Sequence, residues 1–118
     1  MGRKIIAAVD DMFFAAKIRA TAEHLGADVQ IVRSERAALD AAHAENPSLI
    51  IVDLHAQKFS PFGLAQKLKT DERAKNIPLM GFFSHVQTKL RQQAIEAGFD
   101  QVIPRSAFSK NLADILQG

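Results

Sequence analysis

The stretch Leu49-Ile50-Ile51-Val52-Asp53 decides the fold of this chain. Four aliphatic side chains follow one another without a polar interruption, and the run begins just after Pro47-Ser48 and ends at a carboxylate. A continuous apolar run of this length is typical of a parallel strand that is covered on both faces. The sequence therefore predicts that this segment is the centre of a parallel sheet.

Strand-like runs alternate with helical patterns on both sides of this segment. The spacing of apolar residues predicts strands at 4–9, 28–32, 79–83 and 101–103, and helices at 12–25, 35–45, 61–70 and 87–97. Ser34 and Ser60 are suited to cap helices, and either Ser106 or Ser109 would cap a last helix that ends near Leu116. Because parallel pairs need long crossovers, we expect a single α/β domain over 1–118: a doubly wound, flavodoxin-like sheet with strand order 2-1-3-4-5.

The composition excludes several classes of function. The 118 residues include no cysteine, which excludes disulfides and thiolate chemistry. Fifteen basic and thirteen acidic residues give a net charge of +2, and the basic ones are scattered, so we expect no direct nucleic-acid partner. No apolar stretch is long enough for a membrane span and no signal peptide is evident, so the sequence predicts a cytoplasmic protein without a membrane partner.

Acidic residues follow two strands that should be neighbours. Asp10 and Asp11 come directly after the first strand, and Asp53 ends the third. Three carboxylates at one edge of a sheet would repel one another unless a cation shared the site, and Mg²⁺ is the natural hard cation. The alternative is that each aspartate only caps a helix or a loop.

At these positions the chain resembles the receiver domain of bacterial two-component response regulators, the CheY-like superfamily. The resemblance rests on Val-Asp-Asp at 9–11, Ile-Ile-Val-Asp at 50–53, Ile-Pro-Leu-Met at 77–80 and Ala-Gly-Phe-Asp at 97–100. It implies that Asp53 accepts a phosphoryl group from a phosphohistidine. It further implies that Asp11, Asp53 and the backbone carbonyl of His55 hold Mg²⁺ while Asp10 assists through water. The implied partner is a sensor histidine kinase or another signalling protein.

The chain departs from the family pattern at two positions, which we call the switch positions. One is the hydroxyl residue at the end of the fourth strand, and the other is the lysine after the fifth strand. Phe83 stands where the family carries a threonine or serine, and Ser84 comes one residue late, where it could instead form a capping box with Gln87. Pro104 stands at the position of the family's lysine. Arg105 is then either a substitute that reaches into the acidic site or a solvated surface residue. We therefore expect weak or absent phosphorylation of Asp53 and a degenerate receiver.

Other residue types give weaker signals. The four histidines lack the spacing of a zinc site, and we expect them on the surface or in loops. The adjacent pairs Phe13-Phe14 and Phe82-Phe83 are expected to fill the core, with Phe14 or Phe83 on an exposed rim as the alternative.

Three functions remain to be compared. The first is a non-enzymatic signalling module that acts by protein–protein contact through the fourth helix, fifth strand and fifth helix. The second is a true Mg²⁺-dependent phosphoacceptor in which Arg105 and Ser84 replace the missing lysine and threonine. The third is a small Mg²⁺-dependent phosphotransfer enzyme, for which the sequence offers no evident general base. The sequence leaves the oligomeric state open.

Overall fold

A computed structural model describes residues 4–84 and 88–118 of the chain. Five strands alternate with helices along these residues. In chain order the elements are β1 (Lys4–Ala8), α1 (Met12–Leu25), β2 (Asp28–Val32), α2 (Glu35–Glu45), β3 (Leu49–Asp53), α3 (Pro61–Thr70), β4 (Leu79–Phe83), α4 (Thr88–Ala97), β5 (Gln101–Pro104), α5 (Arg105–Lys110) and α6 (Leu112–Gln117).

The strands form one parallel sheet in the order β2-β1-β3-β4-β5, which confirms the predicted flavodoxin-like topology. The central strand β3 is buried along its whole length, as its apolar run predicts. Ala8 of β1 lies beside Val52 of β3, and Asp53 lies beside Phe82 of β4. This register places the carboxyl ends of the central strands at one edge of the sheet.

Successive side chains of β3 enter two different cores, one on each face of the sheet. Ile50 and Val52 pack with residues of α2, α3 and α4. Leu49 and Ile51 pack with residues of α1, α5 and α6. Because strand side chains alternate between faces, a fully apolar strand needs helices on both sides.

The predicted helix starts at Ser34 and Ser60 are confirmed. Each hydroxyl oxygen accepts a hydrogen bond from a backbone N–H three residues ahead, at Ala37 and Gly63. Pro61 then occupies the first turn of α3, where its missing N–H costs nothing. These local signals set the boundaries of α2 and α3.

The prediction of one last helix capped by Ser106 or Ser109 is wrong. The helix begins at Arg105, directly after Pro104, with no side-chain cap. It is interrupted at Asn111, whose side-chain amide donates to the carbonyl of Ala107, and a second short helix follows. The proposed capping box of Ser84 lies partly outside the described residues, since Gln87 is not among them.

Two further expectations about side chains are corrected. Phe13 is 92% exposed, whereas Phe14, Phe82 and Phe83 are buried. Adjacent helical residues point about 100° apart, so Phe13 and Phe14 cannot both face one core. His43 lies in α2 and not in a loop; its side chain is partly exposed, and its ring nitrogen Nε2 lies 2.6 Å from Asp71 Oδ2.

A helix that spans a membrane needs both length and apolar character. Among residues 4–84 and 88–118, none of the helices combines the length and the apolar character needed to span a bilayer.

Candidate functional site

The sequence-predicted site residues lie at the carboxyl edge of the sheet. Asp10 and Asp11 follow β1, Asp53 ends the adjacent strand β3, and Arg105 begins α5 directly after β5. We call Asp10, Asp11 and Asp53 the acidic rim. Ligands of open parallel sheets bind beyond this edge, which makes the rim the first place to look for function.

Asp53 is the buried member of the rim. Its side chain is 6% exposed, and its Oδ1 accepts a hydrogen bond of 2.9 Å from the backbone N–H of His55. Burial raises the pKa of Asp53 above its ordinary value, and the charge of Asp10 adds to this effect. The backbone N–H of His55 and the charge of Arg105 act in the opposite direction. Asp53 Oδ2 accepts no hydrogen bond within the described part of the chain.

Asp10 anchors the loop that follows β3. Its Oδ2 accepts hydrogen bonds from the backbone N–H groups of Gln57 and Lys58, at 2.7 and 3.0 Å. Charge-assisted bonds from two successive amides hold the loop beside the rim. The loop after β3 is thereby attached to a residue that the family resemblance assigns to the site.

Asp11 is held by both of its oxygens. Its Oδ1 caps α1 by accepting from the backbone N–H groups of Phe13 and Phe14, at 3.0 and 3.2 Å. Its Oδ2 lies 2.8 Å from an Nη atom of Arg105, in a side-chain pair that is about one-third exposed. The hydrogen bond from Arg105 is the main cause that lowers the pKa of Asp11, and the amide of Phe14 contributes next. The capping alternative is therefore confirmed for Asp11, and the same side chain also forms an ion pair with Arg105.

Arg105 is not a solvated surface arginine. Its guanidinium carbon lies 4.2 Å from the ring centre of Phe14 and 5.9 Å from that of Phe82. Flat stacking on an aromatic face suits a guanidinium and holds it in one place. The side chain reaches inward, as one of the two sequence interpretations supposed.

Three aromatic rings pack together beside Arg105. Phe82 and Phe108 are stacked with ring centres 4.7 Å apart, and Phe14 lies 4.9 Å from Phe82 and 5.5 Å from Phe108. The rings come from β4, α5 and α1; Arg105 lies over those of Phe14 and Phe82, and Phe108 packs against both. Sequence reasoning missed Phe108; its signal was a helical spacing from Leu112 that places both on the buried side of the C-terminal region.

The predicted switch positions differ from the rest of the site. Phe83 is 3% exposed and packs in the core on the α2, α3 and α4 face. Ser84 is exposed and follows the end of β4. Pro104 ends β5 beside Phe83 and is partly buried. The Ser84 hydroxyl makes no hydrogen bond to another described residue, and the side chains of Phe83 and Pro104 carry no polar atom.

The rim has the right donor chemistry for a hard cation such as Mg²⁺, because carboxylate oxygens are its usual ligands. The arrangement nevertheless does not fit one. Both oxygens of Asp11 and one oxygen of Asp10 already have partners, and Arg105 supplies a positive charge at the same place. Across residues 4–84 and 88–118, no three His, Cys, Asp or Glu side chains are grouped so that they could hold a metal ion. The ligand roles of Asp10, Asp11, Asp53 and the His55 carbonyl therefore stay predictions.

Comparisons with solved structures support the fold. The chain is similar to a chemotaxis response regulator of Vibrio cholerae, with a TM-score of 0.86, 18% identity and coverage of 99% of this chain and 98% of that one. It is similar to the receiver domain of a sensor histidine kinase from Pseudomonas aeruginosa, which was solved with magnesium in its active-site cleft, with a TM-score of 0.85, 19% identity and coverage of 99% and 96%. A phosphorylated cyanobacterial phytochrome response regulator matches with a TM-score of 0.81, 21% identity and coverage of 100% and 91%.

A search of curated protein sequences gave no match. The family model of the response regulator receiver domain, in contrast, matches residues 5–117 and thus nearly the whole chain. With the sheet order and the acidic rim already established, this match identifies the protein: the chain belongs to the response regulator receiver domain family of two-component signalling.

Proposed function

We propose that this chain is a degenerate receiver domain whose output is protein–protein contact and in which Asp53 is a weak or silent phosphoacceptor. The observation that carries the proposal is the burial of Phe83. A phenyl ring packed in the core offers no hydroxyl to a phosphoryl oxygen, and moving it would open a cavity. The exposed hydroxyl of Ser84 lies one residue beyond the strand and does not replace it.

The engagement of Arg105 supports the same proposal. A basic side chain that contacts an acyl phosphate contributes a charge-assisted hydrogen bond of about 1.5–3 kcal/mol, equivalent to about tenfold to a hundredfold in an equilibrium or a rate. Here the guanidinium is paired with Asp11 and lies on Phe14. Contact with a phosphoryl group on Asp53 would require it to exchange these partners.

The proposed output surface is the face made by α4, β5 and the helices that follow. A groove of about 430 Å³ runs along this face, and the exposed Ile95 of α4 lies on it together with Arg91 and Ile103. Exposed aliphatic carbon beside a groove is typical of a protein-binding surface. The proposed partner is a sensor histidine kinase or another signalling protein.

Phosphodonor assays test the proposal. The protein is incubated with acetyl phosphate and MgCl₂, and the mass gain of one phosphoryl group is quantified, with Asp53→Asn as the control. We expect a low occupied fraction in the natural chain, and a rise of at least tenfold in the double variant Phe83→Thr/Arg105→Lys. Near-complete phosphorylation of the natural chain, abolished by Asp53→Asn, would overturn the proposal. It would instead support the second function, a true Mg²⁺-dependent phosphoacceptor.

A further inference from the structure

We propose that Arg105 is a built-in counter-cation of the acidic rim and that it excludes divalent cations from Asp11. The inference goes beyond the proposed function, because it concerns which cation balances the rim and not whether Asp53 accepts a phosphoryl group. It starts from the disagreement between the carboxylates, which suit Mg²⁺, and the hydrogen bonds that already occupy both oxygens of Asp11.

The first step is the occupancy of Asp11. Its Oδ1 is committed to the backbone amides at the start of α1, and its Oδ2 to Arg105. A divalent cation would need one of these oxygens at about 2.1 Å for Mg²⁺. Taking Oδ1 would remove the cap of a 14-residue helix, so Oδ2 is the oxygen for which a metal and Arg105 must compete.

The second step is electrostatic. A cation bound at Oδ2 would lie within a few ångströms of the guanidinium, since both would contact the same atom. Two like charges at that distance repel each other strongly in a partly buried site. Binding therefore requires Arg105 to leave Asp11.

The third step is what holds Arg105 in place. Its guanidinium lies 4.2 Å from the centre of the Phe14 ring, and Phe14 is in turn packed against Phe82 and Phe108. The cation therefore has two attractive partners on one side, the carboxylate and the aromatic face. Displacement by a metal loses both, and this lowers the apparent affinity of the rim for divalent cations.

A titration with MgCl₂ alone, at constant ionic strength and without a phosphodonor, tests the inference. Binding is followed by amide NMR shifts at the rim and by the shift of the thermal unfolding midpoint. We expect Arg105→Gln to bind Mg²⁺ at least tenfold more tightly than the natural chain. Arg105→Met, which keeps an apolar stem over Phe14, should behave in the same way and provides a second test if the first variant folds poorly. Arg19→Gln removes the same charge from the exposed side of α1 and should leave the affinity unchanged.

Two results would overturn the inference. One is equal Mg²⁺ affinity in the natural chain and in both Arg105 variants. The other is a failure of both folded Arg105 variants to bind Mg²⁺, which would show that Arg105 is not what keeps the cation out. Neither result depends on phosphorylation, so the failure of this inference and that of the proposed function can be told apart.

Discussion

Two ion pairs, Lys69–Asp100 and Arg105–Asp11, lie at opposite edges of the sheet, and their other contacts differ. At the amino edge, Lys69 Nζ contacts Asp100 Oδ2 at 2.8 Å and the backbone carbonyls of Ile77 and Lys75 at 3.1 and 3.4 Å. At the carboxyl edge, Arg105 makes one hydrogen bond to Asp11 and otherwise lies on an aromatic ring. The three donors of the ammonium are all used, whereas among residues 4–84 and 88–118 the guanidinium donates one hydrogen bond, to Asp11.

The difference indicates that the Lys69–Asp100 pair joins secondary-structure elements, whereas the Arg105–Asp11 pair joins two side chains of the candidate site. Asp100 also accepts from the backbone N–H of Leu79 and donates its own N–H to the Leu79 carbonyl, so it joins α3, β4 and the start of β5. Removing the Asp100 carboxylate takes an acceptor from the part-buried N–H of Leu79 and from Lys69, whose side chain is 21% exposed. Arg105 instead pairs with one side chain, Asp11, where both side chains are about one-third exposed, and its cation lies on the Phe14 ring. We therefore expect the amino edge to carry stability and the carboxyl edge to carry function.

The largest effect is expected for Asp100→Ala. This variant removes the side-chain acceptor of the Leu79 N–H and one of the three acceptors of the Lys69 ammonium, which should lower the free energy of unfolding by about 2 kcal/mol. Arg105→Gln should cost about 1 kcal/mol or less, because its pair is one-third exposed. Urea unfolding measures both changes.

Asp40→Ala provides the matched control for this experiment. Asp40 and Arg36 are both well exposed and 3.9 Å apart, so the loss should stay within about 0.5 kcal/mol. If Arg105→Gln destabilised the protein as much as Asp100→Ala does, the distinction between the two edges would be wrong.

A smaller loss of stability is expected for a substitution at Gly98, beside Lys69. Its φ is +116°, and an added Cβ would lie 2.7 Å from Lys69 Cγ. Gly98→Ala should therefore cost about 1.5 kcal/mol, through backbone strain and displacement of the lysine stem. Gly26→Ala, at φ +71° with open space around it, should cost about 1 kcal/mol. Equal losses in thermal unfolding would mean that contact with Lys69 adds nothing to the strain.

The fold could be predicted because its signals are local. The apolar run of β3, the alternation of strands with helices and the serine caps each act over a few residues, and together they admit few topologies. The C-terminal helix was mispredicted because its start depends on Pro104, which sets the backbone without any capping side chain. Its interruption at Asn111 depends on a side-chain hydrogen bond that spacing does not reveal.

The site could be predicted only in part. Placing Asp10, Asp11 and Asp53 at one edge follows from strand order alone. Their partners do not, because Asp11 and Arg105 are 94 residues apart in the chain. The direction of Arg105 depends on a ring stack assembled from α1, β4 and α5, which exists only after the sheet has formed. Sequence spacing therefore gives the place of the carboxylates and not the identity of their counter-cation.

The smallest predicted effects concern the pH dependence of stability, which should differ between Asp11 and Asp53 of the acidic rim. Arg105 lowers the pKa of Asp11 in the folded state, so the folded chain holds this proton less tightly than the unfolded chain does. Its stabilising contribution is present above the unfolded pKa and is lost as the pH falls through the folded pKa. Burial raises the pKa of Asp53, so the ionised form of this group opposes folding as the pH rises through and above that pKa.

Asparagine variants should therefore change stability in opposite directions. At pH 7, Asp53→Asn should raise the urea midpoint, because a neutral amide replaces a buried charge while its oxygen can still accept from the His55 N–H. Asp11→Asn should lower it, because the amide keeps the helix cap but loses the charge that faces Arg105. Near pH 3 the gain at Asp53 should vanish, since that carboxyl is then protonated in both states. A gain at Asp53 that persisted at pH 3 would show that packing, rather than the burial of a charge, determines its effect.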